Sequence, residues 1–220
     1  MTELRVATTT AAGDGAAKEL EALIARMPRT VAPEIPESVF QAALTTFLAG
    51  QRIDMKRLAG ELGMSRSTLY ARAGNRDALL GAVLLHSAEL AISAARGSAI
   101  DLRGRQRIVT VARTMMETVH ASKPFVRFIE QEPEVALRLL TTGAAGVQGA
   151  CAAALEELLS EEEGSGALEI RINSRMLAFV IVRLAESFAY ADLIADQEPD
   201  IPLAVEAIDA LLALNEPDQR

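Results

Sequence analysis

The run Asp54-Met-Lys-Arg-Leu-Ala-Gly-Glu-Leu-Gly-Met-Ser-Arg-Ser-Thr-Leu-Tyr70 contains two complete sets of helix punctuation. Asp54 is an N-cap residue for a helix from Met55 to Leu62, with Ile53 and Leu58 spaced as a hydrophobic staple. Gly63 supplies the left-handed stop. Ser65 caps a second short helix, and Met64 and Leu69 repeat the staple. Gly74 ends that helix, and Asn75 caps a longer one through Leu79, Leu80, Val83 and Leu84 to about Ala95. Ala59 is small where two helices must approach closely, and Leu58, Leu62 and Leu69 are placed to bury between them. Two short helices across a tight Gly-Met turn make a helix-turn-helix on geometric grounds.

Outward from this run the pattern stays helical. Pro36 to Ala49 carries Val39, Phe40, Ala43, Leu44, Phe47 and Leu48 on one face. Pro36 suits a first turn and Gly50 a stop. Residues 1–35 read as a leader, with one short helix over Lys18 to Met27 and breakers at Pro28 and Pro33. Beyond Arg103 the spacing predicts helices over Arg105 to His120, from Pro124, from Pro133 and over Gln148 to Glu163. A longest segment follows over Leu168 to about Ala195, and a last helix over Pro202 to Leu214. No strand alternation and no repeat is found. The expected fold is all-α, with a helix-turn-helix domain over 36–82 and a second helical domain over 83–220.

The chain has 220 residues, 50% hydrophobic and 24% charged, the balance of a soluble globular protein. With no Trp and 4% aromatics, its core must be built from Ala, Leu, Val and Ile. The single Cys151 excludes an internal disulfide framework, and two histidines leave little for a metal cluster. No cofactor is expected. No set of nucleophile, base and orienting group is found, nor a glycine-rich phosphate loop, so an enzyme is not expected. The opening residues lack a secretory h-region and no apolar run spans a bilayer, so a cytoplasmic protein without membrane partners is expected. The net charge of −8 is unevenly spread. Residues 51–76 hold six basic side chains (Arg52, Lys56, Arg57, Arg66, Arg72, Arg76) against two acidic ones, Asp54 and Glu61. Such an island is equally the pattern of a nucleic-acid footprint and of a solvated helical face.

The stretch Asp54 to Tyr70 and its continuation Gly74-Asn-Arg-Asp-Ala-Leu-Leu80 resemble the DNA-binding domain of TetR-family regulators. The resemblance covers roughly residues 36–85 and rests on the Gly63-x-Ser65-x-x-Thr68-Leu69-Tyr70 core. Where the family pattern has His-Phe after the tyrosine, this chain has Arg72 and Ala73. The segment Arg183-Leu-Ala-Glu-Ser-Phe-Ala-Tyr-Ala-Asp-Leu-Ile194, with Pro199-Asp200, looks like the QsdR-type subgroup, which is associated with degradation of lactone quorum signals.

A recognition helix capped by Ser65 would turn its N-terminal N–H groups and positive dipole towards phosphate. Arg66, Ser67, Thr68 and Ala71 lie on its first two turns, suited to the major groove: Arg66 to a guanine edge, Ala71 to a thymine methyl. Tyr70 is placed to donate to a phosphate. Lys56, Asn75 and Arg76, at helix starts, are suited to backbone contacts, and Arg72 to backbone or base contact. The expected partner is double-stranded operator DNA. On the bland reading Ser65 and Asn75 are caps alone and the arginines are solvated.

On the long segment, Ala178, Val182, Ala185 and Ala189 form a small-residue strip, expected as a dimer seam. Leu177, Ile181, Leu184 and Phe188 form a bulkier one. The family resemblance implies a four-helix homodimer interface there, and dimerisation suits two half-sites about 34 Å apart. A third strip, Arg175, Phe179, Arg183, Glu186 and Tyr190, is expected as the polar end of a small-molecule effector pocket. Its apolar part would come from Met115, Met116, His120, Phe125, Phe128 and Cys151. A carboxylate would suit Arg183 and a carbonyl Tyr190. The competing readings are an intrahelical salt bridge on a wetted face and plain core. The expected function is a ligand-responsive repressor, its effector a lactone or acyl-type signal. The alternative is a helical adaptor binding a protein, distinguished by salt dependence.

Overall fold

In the computed structural model, residues 35–191, 194 and 197–215 are described. The expected leader, with the Lys18 to Met27 helix, lies outside them except for Ile35. Among the described residues the chain is helical without strands, as the patterning requires. The helices are α1 (Glu37–Leu48), α2 (Met55–Glu61), α3 (Arg66–Ala73), α4 (Arg76–Ser98), α5 (Gly104–Ala121), α6 (Lys123–Gln131), α7 (Pro133–Thr141), α8 (Val147–Gly164), α9 (Ser174–Ala189) and α10 (Ile201–Asn215). Packing forms two compact units. One holds residues up to Leu90 with His120–Val147, the other Ala91–Val119 with residues from Gln148 on. The sequence-drawn division at 82/83 would put α6 and α7 in the second domain, whereas by packing they join α1–α3.

The core of the first unit starts from α1, whose apolar stripe Val39, Phe40, Ala43, Leu44 and Phe47 is buried. The ring of His86, fully buried, stands edge-on to Phe40 at 5.3 Å, and Phe128 of α6 meets Phe47 at 6.0 Å. Both are T-shaped pairs, a favoured arrangement of ring quadrupoles. α4 is long and apolar enough to cross a membrane, but more than half of that stretch is buried inside the protein.

The second unit has a core of Ile108, Leu158, Leu159, Leu177, Ile181, Ile208 and Leu212. Beside it lies a knot of charge. Glu162, 2% exposed, accepts from the Gly104 backbone N–H at 2.5 Å and from Arg107 Nη1 at 2.5 Å. Burial alone would raise the Glu162 pKa. The Arg107 and Gly104 hydrogen bonds outweigh it and hold the carboxyl below its usual range. The same pairing raises Arg107. Arg96 bonds Glu157 at 3.0 Å and also Glu161. Gly104 has φ +59, and a Cβ there would run into the Ala167 carbonyl oxygen, so only glycine suits this joint.

One helix differs from the sequence reading. The segment expected to run from Leu168 becomes helical only at Ser174, because Asn173 Oδ1 caps it by accepting from the Arg175 and Met176 N–H groups at 2.9 and 3.3 Å. Asn competes with helix hydrogen bonds from an interior position and satisfies them from a cap. Leu168 still reaches the core from the non-helical approach. The longest described helix is therefore α4, with 23 residues.

Candidate functional site

The helix-turn-helix forms with the punctuation expected of it. Asp54 Oδ1 accepts the Arg57 N–H at 2.7 Å, and this bond holds the carboxyl below its ordinary pKa. Gly63 takes φ +62, and the Met64 N–H returns to the Ala59 carbonyl at 3.0 Å. Ser65 Oγ accepts the Thr68 N–H at 3.1 Å and lies 2.8 Å from both Ser67 Oγ and Thr68 Oγ1. Asn75 Oδ1 accepts the Ala78 N–H at 2.8 Å. Ile53, Leu58, Ala59, Leu69 and Ala73 are buried between the helices. Ala73, where the family pattern has Phe, fills its core position with a methyl group.

Burial on one side defines the opposite face. Ser65, Arg66, Ser67, Tyr70, Ala71 and Arg72 are exposed along α3, with Thr68 half-buried, and Lys56 and Asn75 are exposed beside it. The cations divide into two groups. Arg57 is engaged on its own helix, donating to Glu61 and Gln51 at 2.8 Å each. Arg76, expected at a phosphate, is instead 18% exposed and donates to the Ile53 carbonyl at 2.7 Å and to Glu132 at 2.5 Å. Among the described residues no salt bridge engages Lys56, Arg66 or Arg72, though Lys56 acts on Asp54 through space. The positive charge left on this face is thus Lys56, Arg66 and Arg72, next to an α3 N-terminus whose Arg66 and Ser67 N–H groups precede the first helical hydrogen bond.

In the second unit a polar cluster joins α8 to α9. Gln148 Nε2 donates to both oxygens of Glu186, at 3.1 and 3.0 Å, and Arg183 Nη1 donates to Glu186 Oε2 at 2.8 Å. Burial raises the Glu186 pKa against the pull of Gln148 and Arg183. Burial, with Glu186 nearby, pushes the Cys151 thiol up to about 11. Tyr190 is raised by burial first and then by Cys151 and Glu186. Cys151, Glu186 and Tyr190 thus act on one another electrostatically, and Arg183 pairs with Glu186 along the helix, as the competing salt-bridge reading has it. Gln148 was missed, although it stands three residues before Cys151 on the same helix face. The Arg183 charge is met by Glu186 on the same helix.

Of the other expected pocket residues, Met116 lies in the core against which Cys151 packs, and His120, Phe125 and Phe128 belong to the first unit. Phe179 is 53% exposed on the outer side of α9 with Met176 and Val180. His120 is exposed, Phe125 half-buried, Phe128 packs on Phe47 in the first unit, and Met116 is in the core of the second. Two residues of the expected seam face inward. Ala178 is 0% exposed and Val182 is buried, both inside their own unit's core, with Ala185 packed against it and Ala189 half-buried. The apolar surface left uncovered on the α9–α10 pair includes Met176, Phe179 and Val180 on α9 and Leu203 and Leu214 on α10, which packs against α9. A helix with two apolar faces shows from its sequence that it needs two partners, but not which face meets which.

A family model, Tetracyclin repressor-like, C-terminal domain, matches residues 103–213, half of the chain. The chain belongs to the TetR family of transcriptional regulators. Its fold is similar to that of the R. erythropolis transcriptional repressor QsdR, with a TM-score of 0.73 at 29% identity over 83% of this chain and 96% of that one. It is also similar to the TetR family repressor AlkX from Dietzia sp. Strain DQ12-45-1b, with a TM-score of 0.56 at 24% identity over 82% and 98% of the two chains. Against the fatty acid degradation regulator FadR from Bacillus halodurans the TM-score is 0.54 at 16% identity over 83% and 96%. No curated protein matches the sequence.

Proposed function

We propose that the chain is a cytoplasmic, homodimeric repressor that binds double-stranded operator DNA and is released by a small molecule. The observation that carries this reading is the α3 face: a serine-capped N-terminus beside Lys56, Arg66 and Arg72, three cations that no salt bridge engages among the described residues. Arg66, Ser67, Thr68 and Ala71 read base edges, while Ser65, Tyr70, Arg72, Lys56 and Asn75 hold the backbone. The second copy covers Met176, Phe179, Val180 and Leu203. The similarity to a QsdR repressor supports repression rather than activation.

The effector contacts the Gln148–Glu186–Tyr190 cluster. With Arg183 already neutralised by Glu186, a neutral carbonyl accepting from Tyr190 suits the cluster better than an anion, in keeping with a lactone or acyl-type signal and a role in quorum-signal degradation. The effector acts by favouring a separation of the reading heads that the operator does not match. The test is selection of duplexes from a random pool, followed by titration over a salt series. A steep fall of affinity with salt and a two-half-site consensus are expected, and a salt-independent complex or no selected duplex refutes the reading. Candidate lactones and acyl compounds are then compared by the midpoint for DNA release in the parent, E186Q and Y190F. An identical midpoint in all three removes the cluster from the effector site.

A further inference from the structure

The helix-turn-helix begins and ends on one guanidinium. Arg76 opens α4, directly after the segment leaving α3, and its Nε donates to the Ile53 carbonyl directly ahead of α2 at 2.7 Å. Two points 23 residues apart in sequence are tied together by this side chain. The same guanidinium donates through Nη2 to Glu132 Oε1 at 2.5 Å, while Glu132 Oε2 lies 3.3 Å from Nε of Arg52, the neighbour of Ile53.

Glu132 is the single residue between α6 and α7. Its backbone is held at both ends: its N–H donates to the Phe128 carbonyl at 3.0 Å, and its carbonyl accepts from the Ala136 N–H at 2.9 Å. Phe128 packs on Phe47 of α1. The carboxylate is 8% exposed, and its buried Oε2 accepts no hydrogen bond, so only the Arg52 ion pair compensates it. A buried carboxylate left half-satisfied is costly unless both of its cations stay in place. Those two cations stand at the two chain ends of the reading head.

We infer that Glu132 is a positioning residue for DNA recognition: by gripping Arg76 and Arg52 it fixes the tilt of the whole reading head on the α6–α7 joint, and so sets which half-site spacing a dimer reads. This rests on the proposed dimeric DNA binding. Loss of the carboxylate charge leaves the caps and core of the head intact but frees it to rock. A head that rocks still recognises its own half-site and tolerates a wrong distance to the other.

The experiment uses the full chain and a duplex selected by the parent, together with versions carrying one base pair more or fewer between the half-sites. Each such change moves a half-site by about 3.4 Å and a tenth of a turn. Parent, E132Q and R76K are titrated at fixed salt, and their thermal unfolding is recorded. The parent is expected to bind the respaced duplexes about ten-fold or more weakly, since the two heads no longer engage together. For E132Q the penalty shrinks to about three-fold or less with half-site base preference unchanged. R76K, which keeps its charge but cannot fork between Ile53 and Glu132, behaves the same way. A folded E132Q with the parent's spacing penalty overturns the inference, because affinity lost equally on every duplex marks a merely structural ion pair. Should E132Q fail to fold, R76K decides by the same ratio. A parent indifferent to spacing also overturns it. A parent that binds no duplex removes the DNA reading and this inference with it, whereas spacing dependence shared by all three proteins removes the inference alone.

Discussion

Helices α2 and α3 in the first unit have seven and eight residues, and each is capped by a side chain that accepts from a backbone N–H three residues on. In the second unit α5 and α8 have 18 residues each, and their strongest polar ties reach across 54 to 65 residues of sequence: Gly104 and Arg107 to Glu162, Arg107 and Arg96 to Glu161. The helix-turn-helix is stabilised by local caps around a small core, the ties of Arg76 and Arg52 to Glu132 being its non-local exception. The body is stabilised by few non-local bonds beside a large core. Damage to one cap should therefore be mild and confined, while damage to one buried charge should be severe.

The largest effect is expected at Glu162. Replacing it with Gln leaves Arg107 buried without its principal partner, at a cost of about 3–5 kcal/mol by denaturant unfolding. Because the folded pKa of Glu162 lies below the ordinary carboxylate value, its stabilisation is fully present above that value and is lost as pH falls through the lowered folded value. The acid limb of the stability curve should thus flatten in E162Q. An unfolding midpoint like the parent's would break the contrast between the units.

Next in size is the α9 surface, where neighbouring residues should fail in different ways. Phe179→Arg puts a charge on the exposed strip and should weaken the dimer by about 2–4 kcal/mol, giving monomer in sedimentation with the fold intact. Ala178→Arg forces the same side chain into the core and should instead unfold the second unit. If Ala178→Arg yields a folded monomer and Phe179→Arg a normal dimer, the seam lies on the alanine face after all.

Arg66→Ala tests the head at the site of recognition. It is expected to cost about 1–3 kcal/mol in specific binding and to relax preference at one base position, without altering stability. Titration against duplexes varied at each position measures both. The smallest effect belongs to the caps: Ser65→Ala should destabilise by about 1 kcal/mol, since the Thr68 N–H loses its acceptor. A loss as large as that of E162Q would show that the head is no more local in its energetics than the body.

The same contrast explains what was legible. Asp54, Gly63, Ser65, Gly74 and Asn75 act within four residues of their own positions, so residue type and spacing suffice to recognise them. The partners of Arg76 and Gln148 stand 56 and 38 residues away, and no local pattern announces them. The strip Ala178, Val182, Ala185 and Ala189 is periodic, and periodicity shows that a face is buried without saying by what. His120 and Phe179 share helices with core residues and still point outward, because the turn of the helix relative to its neighbours is a property of the packing.

The sequence by itself determined the all-helical class, the helix-turn-helix, its caps and turns, and the exposed cations of α3. These follow from interactions that close within one or two turns, where chain entropy is small and each residue meets its partner by spacing alone. Only the tertiary structure decided that Arg76 is held by Glu132, that Gln148 reaches Glu186, and that the outer face of α9 is Phe179 rather than Ala178. Each of those outcomes depends on distant segments arriving together, and a helical face selects its partner by shape and desolvation, which exist only once the core has formed.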